Sequence, residues 1–350
     1  MVKQANYPLP AGFRLGEYRI ERQISLGGFS IVYLATDESG RFAAIKEYLP
    51  NSLALRREGQ VCPDIPEEHL PAFRYGMKCF FEEGRALAGL SHPNVIRVLN
   101  FFRANDTVYM VMEYERGRTL QEVIRNERAV ITENFIRNVF TRLLNGLREV
   151  HANKLLHLDI KPSNVYMRTD FSPVLIDFGA ARQAMQNGIP MLKPMYTPGF
   201  APPEHYGHRD LLGPWSDIYS IGATMYACLS GAAPQAADHR VEKDKLVPAA
   251  LRWSGKYSDH LLETIDCCLR LQHLDRPQSA FALQKALTSE VSQDGARRRG
   301  ALGEFVHRKI MPKRYEFGLW LDEFASTRMG RLRQGIATFR HRIKKRKTKK

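Results

Sequence analysis

The sequence predicts an α+β fold in which a strand-rich beginning with one helix leads into a mostly helical remainder. Extended runs crowd into residues 18–46, helical spacing dominates from residue 132 onward, and a change in charge near residue 290 closes the folded part. The chain has 350 residues, 44% hydrophobic and 25% charged, close to globular averages, which excludes wholesale disorder. No run approaches the ~18 apolar residues of a membrane-spanning helix. The N-terminus, MVKQANYPLPAGF, lacks the apolar centre of a secretory signal. Five cysteines include an adjacent pair, Cys267 and Cys268, but no C-x-x-C, so neither a disulfide framework nor a zinc knuckle is expected. The cytosol is the expected compartment.

The net charge of +15 is not spread evenly. Residues 297–350 hold 18 Lys and Arg against 4 Asp and Glu, a balance of +14, which leaves +1 for residues 1–296. SEVSQDGARRRG, at about residues 289–300, therefore reads as a linker into a basic tail.

Three extended runs open the chain: Tyr18–Ile24, Ile31–Ala35 and Phe42–Lys46, the last after an Asp37-Glu38-Ser39-Gly40 turn. Ser25-Leu26-Gly27-Gly28-Phe29-Ser30 lies between the first two, and glycines there would let backbone N–H groups approach an anion closely. Lys46 follows Ala43-Ala44-Ile45, so a buried stem would need an acidic partner. Glu82 and Glu83 compete for that role within a helical run over Phe80–Leu90. Glu47–Phe73 contains Pro50, Pro63, Pro66 and Pro71 and reads as a loop or short turns. Val108–Met112 is a buried strand followed by Glu113-Tyr114-Glu115. Thr132 can cap a helix carrying Phe135, Val139, Leu143, Leu144, Leu147 and Val150 on one face.

Residues 157–164 read His-Leu-Asp-Ile-Lys-Pro-Ser-Asn, and Asp177-Phe178-Gly179 follows. Each string places a carboxylate where phosphoryl transfer needs one. Asp159 can accept the proton of an attacking hydroxyl, Asn164 and Asp177 can hold Mg²⁺, and Lys161 can neutralise charge on the transferred group. Further on come Thr197-Pro198-Gly199-Phe200-Ala201-Pro202-Pro203-Glu204, then Asp217-Ile218-Tyr219-Ser220-Ile221-Gly222, then Leu274-Asp275-Arg276-Pro277.

In this order, over roughly residues 18–290, these strings resemble the protein kinases, most of all the eukaryotic-like serine/threonine kinases of bacteria. The resemblance implies the two-lobed protein-kinase fold, with a small antiparallel sheet lobe and hinge over 18–114, a larger helical lobe over 115–290, and the tail at 291–350. It implies transfer of the ATP γ-phosphoryl group to protein serine or threonine, with Mg²⁺, or Mn²⁺ in its stead. It places Asp159, Lys161, Lys46 and Glu83 in catalysis, Glu83 rather than Glu82 by its spacing to His92. Around the nucleotide it places Ile24, Gly27, Gly28, Val32, Ala44, Lys46, Met112, Glu113, Glu115 and Tyr166, with Asn164 and Asp177 on the metal. It further implies that His157 stacks under Phe178 and that Arg276 pairs with buried Glu204.

The chain departs from the family in three places. Serines replace the first and third glycines of the phosphate loop, Pro202 stands where Ala is usual before Pro-Glu, and Leu158 stands where regulated members carry a phosphate-binding Arg. Residues 180–196 contain no Ser or Thr, so activity without activation-loop phosphorylation is expected. The altered phosphate loop gives a rival reading, a pseudokinase scaffold that binds nucleotide and a protein partner. A small-molecule kinase is a second rival.

In the tail, Met329, Leu332, Ile336, Phe339 and Ile343 form one stripe if helical, crowded by Arg328, Arg331, Arg333, Arg340, Arg342 and Lys344–Lys347. Such a segment suits an anionic membrane surface, which would put the protein at the inner face of the membrane, or an acidic protein partner. Nucleic acid fits less well, because it needs no apolar stripe.

Overall fold

The computed structural model describes residues 6–178 and 196–289. Its first layer is a six-stranded antiparallel sheet: β1 (Arg14–Leu15), β2 (Tyr18–Leu26), β3 (Ser30–Thr36), β4 (Phe42–Tyr48), β5 (Val98–Ala104) and β6 (Thr107–Glu113), in the order β1-β2-β3-β4-β6-β5. The β3–β4 turn is set by Asp37, whose Oδ1 accepts the N–H groups of Ser39 and Arg41, both at 2.9 Å. Gly40 takes φ +81°, which a side chain would disfavour.

Register separates the two faces of this sheet. Tyr33 sits opposite Ile45, and Glu47 opposite both Ile31 and Tyr109, so these residues share the outer face. All are fully buried. Val32, Ala44 and Met112 share the other face with Lys46 and are only half-buried. Apolar side chains are thus left partly open on one side of the sheet, beside the second lobe.

Helix α1 (Leu70–Ala88) packs on that inner side, where the Tyr48 ring meets Phe73 and Phe80 at a tilt with centroids at 5.2 and 5.8 Å. It begins ten residues before the expected run over Phe80–Leu90, so the expected loop Glu47–Phe73 already contains its first turn. Pro71 misled the reading: in the first helical turn a proline's missing N–H has no intrahelical partner to lose. Gly84 lets α1 approach the sheet, since a Cβ there would lie 3.2 Å from the Met110 terminal methyl.

The second lobe follows. A short sheet of β7 (Gly117–Thr119), β8 (Val165–Arg168) and β9 (Pro173–Leu175) flanks α2 (Leu120–Asn126) and α3 (Glu133–Ala152). Thr132 caps α3 through its Oγ1, which accepts Phe135 N–H at 3.2 Å. The buried face of α3 includes Ile136 and Phe140, while Phe135, expected there, is half-buried with its ring edge on Phe171.

Helix α4 (Pro214–Ser230) is apolar around its circumference and buried from Ser216 to Leu229. It ends at Gly231, φ +83°, where Arg128 Nη2 donates to the Leu229 carbonyl at 2.7 Å. Helices α5 (Ala237–Glu242), α6 (Ala249–Arg252), α7 (Asp259–Cys268) and α8 (Ala280–Thr288) complete the lobe. The basic tail and residues 179–195 lie outside the described residues.

Candidate active site

The loop after α3 is fixed from below by one carboxylate. Asp217, in the first turn of α4 and fully buried, accepts His157 N–H at 2.9 Å and Leu158 N–H at 2.7 Å, and it meets His151 Nε2 at 2.8 Å. Burial pushes its carboxyl pKa up, but the hydrogen bond and charge of His151, with the backbone N–H of His157, outweigh burial and hold it below the ordinary value. Leu158 sits at φ +63° and Asp177 at φ +60°, sparsely populated conformations for residues with side chains. Paired N–H groups on Asp217 hold the first of these turns.

His157 lies under Phe178 with ring centroids 4.3 Å apart. Its Nδ1 accepts Asp159 N–H at 3.3 Å and its Nε2 faces the Ile176 carbonyl at 3.2 Å, so the ring is neutral with its proton on Nε2. Burial pushes its pKa down, in keeping with that form.

Above this base the polar groups converge. Asp159 Oδ2 accepts from Lys161 Nζ at 2.9 Å and Asn164 Nδ2 at 3.0 Å, and its Oδ1 accepts from Thr197 Oγ1 at 3.0 Å. Lys161 also donates to Thr197 Oγ1 at 2.8 Å, closing a triangle of carboxylate, ammonium and hydroxyl. The Asn164 amide N–H further meets the Asp159 carbonyl at 2.9 Å and the Asp177 carbonyl at 3.4 Å. Asp177 Oδ1 is ion-paired with Lys46 Nζ, which comes from β4 in the other lobe. Lys46 is buried, and its Nζ lies over the Phe80 ring, 5.5 Å from the centroid.

Of the two candidate acids on α1, Glu83 is buried, whereas Glu82 is exposed and lies 3.7 Å from Arg85. Glu83 lines a cavity of about 400 Å³ shared with Leu87, Leu155, Leu156 and Phe178. Lys46 reaches across to the second lobe, where its ammonium is ion-paired with Asp177 Oδ1.

Val32, Ala44 and Met112 lie on the half-open inner face, with exposed Ile24 on β2 and exposed Gly27 and Gly28 in the loop beyond it. Glu113 N–H is taken by the Arg97 carbonyl at 2.9 Å. Glu115 is held by Arg168, whose Nε donates to it at 2.7 Å. Tyr166 is half-buried on β8, opposite Thr119. Carboxylate, amide and ammonium groups thus meet at the seam of the two lobes. Such a set can orient a hydroxyl, take its proton, and bind a polyanion with a hard cation.

Sequence reasoning missed three members. Asp217 carried a signal, an acid opening an otherwise apolar helix. His151 and Arg168 carried none, because nothing in an exposed-looking His or Arg shows which loop will fold onto it. Pro202 and Glu204 fall where expected, and Glu204 is buried with Arg276 in a two-pronged pair at 2.8 and 3.1 Å.

Comparison with known proteins agrees with this geometry. The chain is 29% identical over 282 residues to serine/threonine-protein kinase PknA of Nostoc sp., a match spanning 77% of this chain and 46% of the relative. It is 29% identical over 297 residues to serine/threonine-protein kinase B of Synechocystis sp., spanning 80% and 48%. The chain therefore spans about half the length of the curated relatives it matches. The solved structure described as "PpkA-294 apo form" is 36% identical, with TM-score 0.74 over 80% of this chain and 99% of that one. The Mycobacterium tuberculosis PknI kinase domain, at 21% identity and TM-score 0.60, shares the fold. The protein kinase domain matches residues 18–288, and the chain belongs to that family.

Proposed function

We propose that the protein transfers the γ-phosphoryl group of ATP to serine or threonine hydroxyls of proteins, with residues 18–114 as the upper lobe and hinge and 115–290 as the lower lobe. The observation that carries this reading is the closed arrangement of Asp159, Lys161 and Thr197 facing the Lys46–Asp177 pair. Asp159 is the group that orients the incoming hydroxyl and accepts its proton. Lys161, already within 2.9 Å of it, screens charge on the phosphoryl group as it moves. Lys46 holds the nucleotide phosphates and Glu83 supports Lys46 from α1. The adenine of the nucleotide would sit against Ile24, Val32, Ala44, Met112 and Tyr166, with backbone groups of Glu113 and Glu115 along its edge.

The Asp177 carboxylate and Asn164 amide oxygen are hard donors of the kind Mg²⁺ prefers, and Asp177 already carries a cationic partner in Lys46. When bound, Mg²⁺ supplies neutralisation of the phosphate oxygens. The test is transfer of labelled phosphate from ATP to a generic basic protein and to the chain itself, with identification of the acceptor residue. Phosphoserine or phosphothreonine is expected. No transfer with either Mg²⁺ or Mn²⁺ would leave the scaffold reading, and transfer only to metabolites would leave the small-molecule one.

Two finer readings accompany it. Activity should be independent of loop phosphorylation, because Leu158 offers an apolar side chain where a phosphate would need a cation. Full activity after phosphatase treatment is expected, and silence after it would contradict this unless the lost phosphate maps elsewhere. The tail segment 297–350 should bind an anionic membrane surface or an acidic protein. Sedimentation of the full chain with anionic vesicles, beside a duplex-DNA shift over a salt series, checks it, and binding to neither at physiological salt removes the membrane and nucleic-acid options.

A further inference from the structure

The outer face of the sheet carries a polar cluster that the chemistry above does not use. Glu47 and Arg56 are both fully buried and doubly bonded, at 2.6 and 2.7 Å. Tyr33 and Tyr109 donate their hydroxyls to the same carboxylate at 2.7 and 2.8 Å. Glu47 follows Lys46 directly, and Arg56 belongs to the stretch after β4 that turns back over the sheet. The N-terminal segment closes the cluster: Arg56 Nε donates to the Tyr7 carbonyl at 2.8 Å, and Leu9 N–H donates to the Tyr33 hydroxyl at 3.0 Å.

Asn6 sits in the middle of that returning stretch and is buried. Its Nδ2 donates to Asn51 Oδ1 at 2.7 Å and to the Leu49 and Ala54 carbonyls at 3.3 Å, while its Oδ1 accepts Arg56 N–H at 2.6 Å. The same stretch reaches the glycine loop. Leu49 N–H donates to the Phe29 carbonyl at 2.8 Å and Asn51 N–H to the Gly28 carbonyl at 2.9 Å, prolonging the β3–β4 ladder past its last strand residues. A trans peptide is planar, so anchoring the Gly28 carbonyl on Asn51 aims the Phe29 N–H the opposite way, across the loop.

We propose that residues 6–9 and 49–56 form an outer clamp that positions the phosphate loop for nucleotide, with Asn6 and Arg56 as positioning residues. The loop keeps Gly27 and Gly28 but has serines at its two ends, and order that the motif does not supply comes from outside it. The clamp sets the fraction of loop already in the binding conformation, so its loss weakens nucleotide binding without touching the transfer step. This inference rests on reading residues 25–30 as the phosphate loop.

The test uses the full chain with Asn6→Ala, which empties the centre of the clamp at the edge of the fold, and Asn51→Ala, which removes the partner of Asn6 but keeps the backbone bond to Gly28. KM for ATP should rise about five- to twentyfold in Asn6→Ala through a smaller competent fraction, and less in Asn51→Ala. In both, kcat should hold within about twofold, and amide exchange at Leu49 and Asn51, whose N–H groups hold the loop carbonyls, should quicken. A lowered melting temperature with unchanged KM and unchanged exchange at these amides would show a structural role only and overturn the clamp. Lys46→Met separates the two readings. If it is inactive while Asn6→Ala keeps the native KM, the clamp alone fails; if it transfers phosphate like the native chain, the nucleotide site and the clamp fail together.

Discussion

Asp217 shows how one buried acid can hold a strained turn in place. Its two oxygens take the N–H groups of His157 and Leu158, and Leu158 has the left-handed φ that turns the chain toward Asp159. Removing the carboxylate charge should loosen that turn, because each buried N–H left short of a partner costs about 1–3 kcal/mol. The carboxyl pKa is depressed in the folded chain, so its contribution is fully present above the ordinary value of 3.8 and fades as pH falls through the lower folded value. Asp217→Asn should therefore unfold at lower urea than the native chain at pH 7, with the gap shrinking at and below about pH 3.5. Urea midpoints at the two pH values measure this, and a gap of constant size would point to packing rather than charge.

At the scale of elements, α4 is the post around which the lower lobe is built, and its fit depends on small residues. A Cβ at Gly222 would lie 2.4 Å from the Cys268 Cβ on α7. Gly222→Ala should force the two helices apart and cost about 1–3 kcal/mol, readable as a lower urea midpoint, with Cys268→Gly in the same chain restoring much of it. Elements of this kind were legible when one residue type announced them. Alternation and the Asp37-Glu38-Ser39-Gly40 turn marked the first strands, and Thr132 marked the start of α3. The start of α1 was not legible, because Pro71 reads as a breaker unless its position in the first turn is known. The pairing of Lys46 with Asp177 was not legible either, because a distance between the two lobes is set by folding, not by sequence interval. Nothing in the sequence marks Glu47 and Arg56 as buried, and only the return of the chain over the sheet buries them.

For the whole molecule, the informative contact is the one that crosses from sheet to helical lobe, Lys46 to Asp177. It places a cation and a carboxylate at the seam, where phosphates and their metal would be received. Asp177→Asn should weaken Mg²⁺-dependent nucleotide binding by roughly tenfold or more, the scale of about 1.4 kcal/mol or above, while leaving Mg²⁺-free nucleotide binding much less changed. Titration of a fluorescent nucleotide with and without Mg²⁺ checks it, and equal affinities in the mutant and native chains would remove Asp177 from the metal.

The central claim, that this seam transfers phosphate by way of Asp159, is tested most directly by single-turnover phosphate transfer in the native chain and in Asp159→Asn, with nucleotide affinity measured on the same samples. Affinity and melting temperature should stay close to native, because in the proposed role Asp159 would meet the hydroxyl rather than the nucleotide, while the rate should fall by about 10²–10⁴-fold if a general base is lost. A mutant rate within a few-fold of native would contradict the account.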